Sequence, residues 1–291
     1  MIIIGGCMSR RKKKRRIKWK NIFLVLIILI CLIMLISSLI KIIIWKIETD
    51  KTNKQIDNIQ GFIREEIDDD NNLLINEGDT IIINQEEEIP EFNPYWDYIN
   101  MKLINVDFLE LKKINSDTVG WIQVNGTRIN YPFVQTKDND FYLNHSFDKS
   151  GNGNGWVFLD YRNDINTLDK NTIIYAHGGN NATLFGGLKN ILKTSWINNT
   201  DNFVVKLSTE GKNTLWQVFS VYRIPTTSDY IQVNFNSDES FKDWALMLKD
   251  RSDYDFKTNI SGFDKVLTLS TCYNDYDKVV LHAKLIKEEK R

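Results

Sequence analysis

The sequence predicts a mainly β domain with a few helices, an α+β barrel, preceded by one membrane-spanning helix. Three observations carry this. Seven or eight short β-prone runs bounded by turn residues follow one another after Tyr95. One run with helical spacing interrupts them just before the last two strands. Residues 22–40, IFLVLIILICLIMLISSLI, form nineteen consecutive positions with no charge.

The apolar run comes first. At about 1.5 Å per residue it nearly spans the roughly 30 Å hydrocarbon core of a bilayer. Nine basic side chains crowd residues 10–20 before it. Such a block stays on the cytoplasmic side, so the chain after it is expected outside the membrane. A cleaved signal peptide is the rival reading, but it calls for a shorter apolar core and small residues at a cleavage site. KIIIWKIETD follows instead, which favours an uncleaved, single-pass anchor. The opening MIIIGGC faintly resembles a lipoprotein box, yet it precedes the basic and apolar segments instead of following them. Met8 is therefore a candidate start. The expected division is a basic cytoplasmic segment at 1–21, an anchor at 22–45, an acidic spacer at 46–94 and a catalytic domain at 95–291.

The net charge of −1 hides this asymmetry, since residues 48–92 hold fourteen acids against three bases. The basic block suits anionic lipid head groups, and a nucleic-acid partner is not expected. The acidic stretch reads as a solvated spacer with a helix near its start. The 291 residues suffice for one sizeable core.

Within the folded part, Asp107 and Glu110 suit a capping box that opens a short helix. GWIQVNGTRINYPFV places two β-prone runs around Asn125-Gly126, a hairpin signal. Further strands are expected at GWVFLDY, NTIIYAH, NFVVKLS, LWQVFSVYRI, KVLTLS and KVVLHAKLI. In DESFKDWALMLKDRS, Phe241, Trp244, Ala245 and Leu248 share one helical face, which reads as core packing.

The chemistry centres on a cysteine. Of three in the chain, Cys7 precedes the anchor, Cys31 lies within it, and Cys272 alone falls in the exported part. No internal disulfide is open to it, so it is either a small buried hydrophobe or a reactive thiol. A thiol near neutral pH needs a nearby base or cation to ionise, and histidine also protonates a leaving amine. The chain has His145, His177 and His282. Cys272 and His177 each end a strand-like run, compatible with one shared site. His282 lies in the returning strand, four residues past Lys278, roughly 13 Å away along a strand. Spacing leaves the choice of histidine open.

Five blocks, TLSTC, IIYAHGGNNATLFGGL, INYPFVQTKDNDFYLNHSF, VFLDYRND and SDYIQVNF, resemble in order the class B sortases of Gram-positive bacteria over about residues 95–287. The resemblance implies an eight-stranded sortase barrel with N-terminal helices and a helix before the last two strands. It implies a thiol-dependent transpeptidase that cuts a sorting signal after threonine and holds the acyl group as a thioester. The acceptor is then an amine on a peptidoglycan precursor or a pilin lysine. It implies Cys272 as nucleophile and His177 as general acid, with Asn139, Leu143, Tyr175, Tyr230, Ile231 and Ser270 shaping the signal-peptide groove. Core packing is the alternative for Leu143 and Ile231.

Two departures stand out. The family's catalytic arginine is replaced by Lys278, a compact cation on a flexible stem where a planar fork of donors is usual. Either Lys278 suffices, or Arg223 substitutes, or activity is weak. Ala176 stands before His177 where the family more usually has glycine. Hydrolysis alone and a sortase-like scaffold are the competing functions. No metal or cofactor is expected, because the histidines lack ligand spacing and GNGNG lacks the strand-then-helix setting of a phosphate loop.

Overall fold

The computed structural model describes residues 19–65, 95–179 and 183–291. The basic block up to Lys18, the MIIIGGC opening with Cys7, and the acidic stretch 66–94 lie outside the described residues.

The chain divides into two units, 1–47 and 48–291. The first is described as the apolar start of helix α1 (Trp19–Ile59). It is long and apolar enough to cross a membrane, which suits an anchor or a signal sequence alike.

The second unit begins with the end of α1, and here the expected spacer needs correction. Residues 48–65 belong to the folded unit. Thr49, Thr52 and Ile59 are buried. The Asn152 side chain donates to the Thr52 hydroxyl at 3.0 Å, and the Gly153 N–H donates to Glu48 at 3.1 Å. After a 3-10 turn, β1 (Ile63–Glu65) pairs with β2 (Ile104–Val106). This stretch is polar because it docks through hydrogen bonds; its charge balance masked that.

A short helix α2 (Tyr95–Ile99) and α3 (Phe108–Ile114) precede the barrel. Asp107 caps α3 by accepting from the Glu110 N–H at 3.1 Å, but the reciprocal half of the box is replaced, since the Asp107 N–H goes to the Phe62 carbonyl.

Eight strands then close the barrel: β3 (Thr118–Val124), β4 (Asn130–Val134), β5 (Phe158–Leu159), β6 (Asn171–Tyr175), β7 (Val204–Ser208), β8 (Lys212–Pro225), β9 (Val266–Cys272) and β10 (Asp277–Lys290). Their order is β10-β8-β7-β3-β4-β5-β6-β9, and β9 returns to β10; a short helix α4 (Thr194–Ile197) lies in the β6–β7 connection. The Asn125-Gly126 hairpin forms, with Gly126 at φ 68°. Its loop is longer than a two-residue turn, because Gln123 pairs with Asn130 and the Val124 N–H reaches the Ile129 carbonyl.

Strand periodicity divides the core in two. On β10, Val279, Leu281 and Ala283 face the barrel interior with Trp121, Phe133, Trp216 and Leu269. Val280 faces outward, where α5 (Asp238–Asp250) covers it with Phe241, Trp244, Ala245 and Leu248, the stripe read from the sequence. A Ser237–Ser240 capping box starts α5.

His282 lies in this outer layer, fully buried. The Thr268 hydroxyl, which donates to Asn171 Oδ1, accepts from Nδ1 at 2.9 Å, and Tyr222 donates to Nε2 at 2.8 Å. The neutral ring satisfies both contacts. Burial foremost, with Arg251 adding to it, pushes its pKa down to about 3 from 6.5. A proton taken up by unfolded but not folded histidine lowers stability as pH falls through 6.5 toward 3. Above about pH 4.5 carboxylates contribute little to this slope. Denaturant unfolding between pH 7 and about 4.5 should show stability falling, and a His282→Gln variant should flatten the curve. An unchanged slope in that variant would exclude His282 as its source.

Candidate active site

The site grows from the parallel pairing of β6 and β9. Five pairs align, ending at Tyr175 opposite Ser270. Two residues further on, both strands present chemistry: His177 on one and Cys272 on the other. The two chains stay close there. The Thr271 hydroxyl donates to the Ala176 carbonyl at 2.8 Å. A Cβ on Gly178 would lie 2.0 Å from the Cys272 carbonyl, so only glycine fits. Even-numbered β9 residues and odd-numbered β6 residues face the same outer side, so Cys272, Ser270, Tyr175 and His177 share a wall. Ala176 takes the other parity. Its side chain joins the interior core, so the departure from glycine adds to core packing.

Antiparallel pairing supplies the third group. Lys278 is directly opposite Cys272, and its ammonium donates to Sγ at 2.9 Å. Arg223, the other cation considered, is paired with Asp277 and lies 4.0 Å over the Tyr273 ring. His282 is opposite Thr268, one full stretch back along β9 and under α5. His145 stacks on Phe141 and bonds its carbonyl at 2.7 Å. Geometry therefore separates the three histidines, which spacing alone did not.

His177 Nε2 lies 2.9 Å from the Leu143 carbonyl. A carbonyl only accepts, so Nε2 carries a proton and Nδ1 is the nitrogen left for exchange. Leu143 is held by a 3-10 turn, Phe141–Leu143, whose Tyr142 carbonyl accepts from the Trp156 N–H at 2.9 Å. Gly155 at φ 61° permits this approach: a Cβ there would sit 2.4 Å from the Tyr142 carbonyl oxygen and 2.8 Å from that of Leu143.

All nine residues singled out from the sequence line one cleft of about 740 Å³. Tyr175 donates to Asp160 at 3.0 Å. Burial opposes the Asp160 charge, but Arg162 and Tyr175 together hold its carboxyl below the usual range. Arg162 also donates to the Ile231 carbonyl at 3.1 Å, tying the far wall to the floor. The hydroxyls of Tyr230 and Ser270 are 3.0 Å apart. Asn139 accepts from the Tyr161 N–H at 3.0 Å. Leu143 and Ile231 pack on the core margins and also line the cleft. Sequence reasoning missed Thr226, Thr227, Ser228 and Phe158 in the lining; the Thr-Thr-Ser run was the available signal. It also missed the Asp160–Arg162 brace. A slightly larger cleft, about 770 Å³, lies by β1, β2 and α3. Its lining of Arg64, Asp107, Glu110 and Arg291 includes no nucleophile. Among the described residues no group of three or more potential metal ligands forms a site.

The Sortase domain family matches residues 122–286, more than half of the chain. The chain belongs to the sortase family. Sortase B of Listeria monocytogenes is 37% identical over 183 residues, covering 61% of this chain and 73% of that protein. A Staphylococcus aureus sortase B–substrate complex aligns with TM-score 0.58 and 35% identity, over 62% of this chain and 84% of that one. A sortase B complexed with triglycine aligns equally well at 34% identity, covering 62% and 85%. The chain is accordingly a cysteine transpeptidase of the sortase B kind.

The Leu143 contact sets the His177 tautomer. Nitrogen-15 NMR of the neutral ring should report a proton on Nε2, and Gly155→Ala should shift population toward Nδ1–H. An unshifted tautomer in that variant would mean that Gly155 does not control the carbonyl.

Proposed function

We propose that the chain is a single-pass membrane protein with a cytoplasmic N-terminus, whose extracellular domain cleaves a surface-protein sorting signal after threonine and passes the acyl group to an amine. The observation that carries this reading is that Cys272, His177 and Lys278 line one cleft of about 740 Å³. The basic block before the apolar helix supports the orientation.

The threonine carbonyl enters against Sγ. The sulfur attacks carbon, and the carbonyl oxygen gains the negative charge. Lys278 stands beside the sulfur and supplies the cation for that oxyanion. His177 gives the Nδ1 proton to the leaving amine, and the thioester forms on Cys272. An acceptor amine then attacks the thioester, returns a proton to Nδ1 and releases the thiolate. The extended signal peptide runs along Tyr175, Ser270 and Tyr230 between walls formed by Asn139 and Leu143 on one side and Ile231 on the other. The triglycine bound in a solved sortase B supports an amine acceptor, here a peptidoglycan precursor or a pilin lysine. The substrate complex of the S. aureus enzyme supports a peptide in the cleft.

Lysine in place of arginine preserves charge and loses the fork. Lys278→Ala should therefore cost about 10²–10³ in transfer rate, while Lys278→Arg retains or raises it. The assay adds a peptide of the Asn-Pro-x-Thr or Leu-Pro-x-Thr type, with triglycine, to intact cells carrying the full chain. Wild type should yield the triglycine conjugate and Cys272→Ala none. Undiminished turnover in Lys278→Ala removes that cation from the mechanism. Cleavage without conjugate at any triglycine concentration indicates a hydrolase, and no reaction of the external peptide contradicts an outward-facing enzyme.

A further inference from the structure

The Lys278–Cys272 pair has chemistry that an arginine would not give it. The two residues are direct cross-strand partners at the end of the β9–β10 hairpin, with Nζ 2.9 Å from Sγ. The sulfur is half-buried and opens into the 740 Å³ cleft, so small solutes reach it. The only other described cysteine, Cys31, belongs to the N-terminal unit. A thiol oxidised to sulfenic acid is resolved either by a second thiol or by a nitrogen nucleophile. Here the nitrogen is already in place.

We propose that Cys272 and Lys278 form a reversible sulfur–nitrogen link, a sulfenamide, when the site meets hydrogen peroxide. The thiolate of Cys272 first attacks one peroxide oxygen. Its O–O bond breaks, sulfur is oxidised to S–OH, and the departing hydroxide takes a proton from the Lys278 ammonium beside it, which gives water and a neutral amine. The neutral amine of Lys278 then attacks sulfur, the S–O bond breaks, and a second water leaves with a proton from nitrogen. The sum is one thiol, one amine and one peroxide giving S–N and two waters. A guanidinium in the same position is a poor nucleophile, because its nitrogen lone pairs are delocalised. The exchange to lysine thus opens a branch that stops oxidation before the sulfinic and sulfonic acids, which are not restored by thiols. An added thiol attacks the sulfur of the link, releases the amine, and a second thiol frees Cys272. The link occupies both the sulfur and the cation, so the enzyme is silent while it lasts.

The test treats the full chain in detergent micelles with hydrogen peroxide and reads masses before and after a thiol reductant. Wild type should lose about 2 Da, yield one cross-linked peptide joining Cys272 to Lys278, and regain mass and transfer activity with reductant. Lys278→Arg, which keeps the charge and the fold, should form no link and instead gain about 32 and then 48 Da, irreversibly. Wild type that proceeds to those acids as fast as Lys278→Arg, with no linked peptide, overturns the proposal. The mass readout is independent of whether Lys278 takes part in catalysis, so this inference and the proposed mechanism fail separately.

Discussion

Everything at the site follows from one parallel strand pairing. β6 and β9 come from opposite sides of a long excursion in sequence and run side by side for five registered residues. Because they are parallel, both end at the same rim. The side chains just past the last pair face the same way, which brings His177 and Cys272 into the lining of one cleft. An antiparallel arrangement would have put one of them at the opposite end of the barrel. The β9–β10 hairpin then turns back immediately, and its register places Lys278 against the sulfur. Strand pairing thus positions Cys272 and Lys278 directly, while His177, just past β6, is held by the Leu143 carbonyl of the β4–β5 connection.

The outward orientation of these groups has a physical cause. The barrel interior is filled by Trp121, Phe133, Trp216 and their neighbours, leaving no room for a substrate. Chemistry must sit on the outer face, where strand periodicity makes alternate residues available. The same face runs under α5, and there it is dry: Val280, Phe219 and His282 are buried beneath Phe241 and Trp244. The row Thr268, Ser270, Cys272 therefore passes from a sealed layer into an open cleft within four residues. Ser270 marks the boundary, its hydroxyl paired with Tyr230. His282 and His177 illustrate the consequence. Burial keeps His282 neutral between two hydroxyls in the sealed layer; His177 rests on the Leu143 carbonyl in the open cleft.

Much of this was legible in the residues. All eight barrel strands match β-prone runs, and the α5 stripe is the buried face it was read to be. The apolar–polar period carries that information directly. Cys272 and His177 at strand ends were visible as candidates, but their proximity depends on which strands pair, a long-range property that local pattern does not encode. For the same reason Lys278 was identified through family resemblance and not from spacing. The docked end of α1 was misread because its polar residues bind Asn152 and Gly153 instead of water. The Leu143 carbonyl and the glycine that makes room for it were invisible, since both act through the backbone. Asp160 and Arg162 were hidden for a further reason: an i, i+2 ion pair in a loop has no periodic signature.

The account reduces to a claim about one sulfur: Cys272 carries the acyl group, in a site assembled by the β6–β9 pair. The most direct measurement is the intact mass of the enzyme mixed rapidly with a threonine-containing signal peptide in the absence of any amine. The account predicts a single acyl adduct that maps to Cys272, discharges with hydroxylamine, and is missing from Cys272→Ala. Peptide turnover with no adduct on that residue, or an adduct that survives in Cys272→Ala, would contradict it.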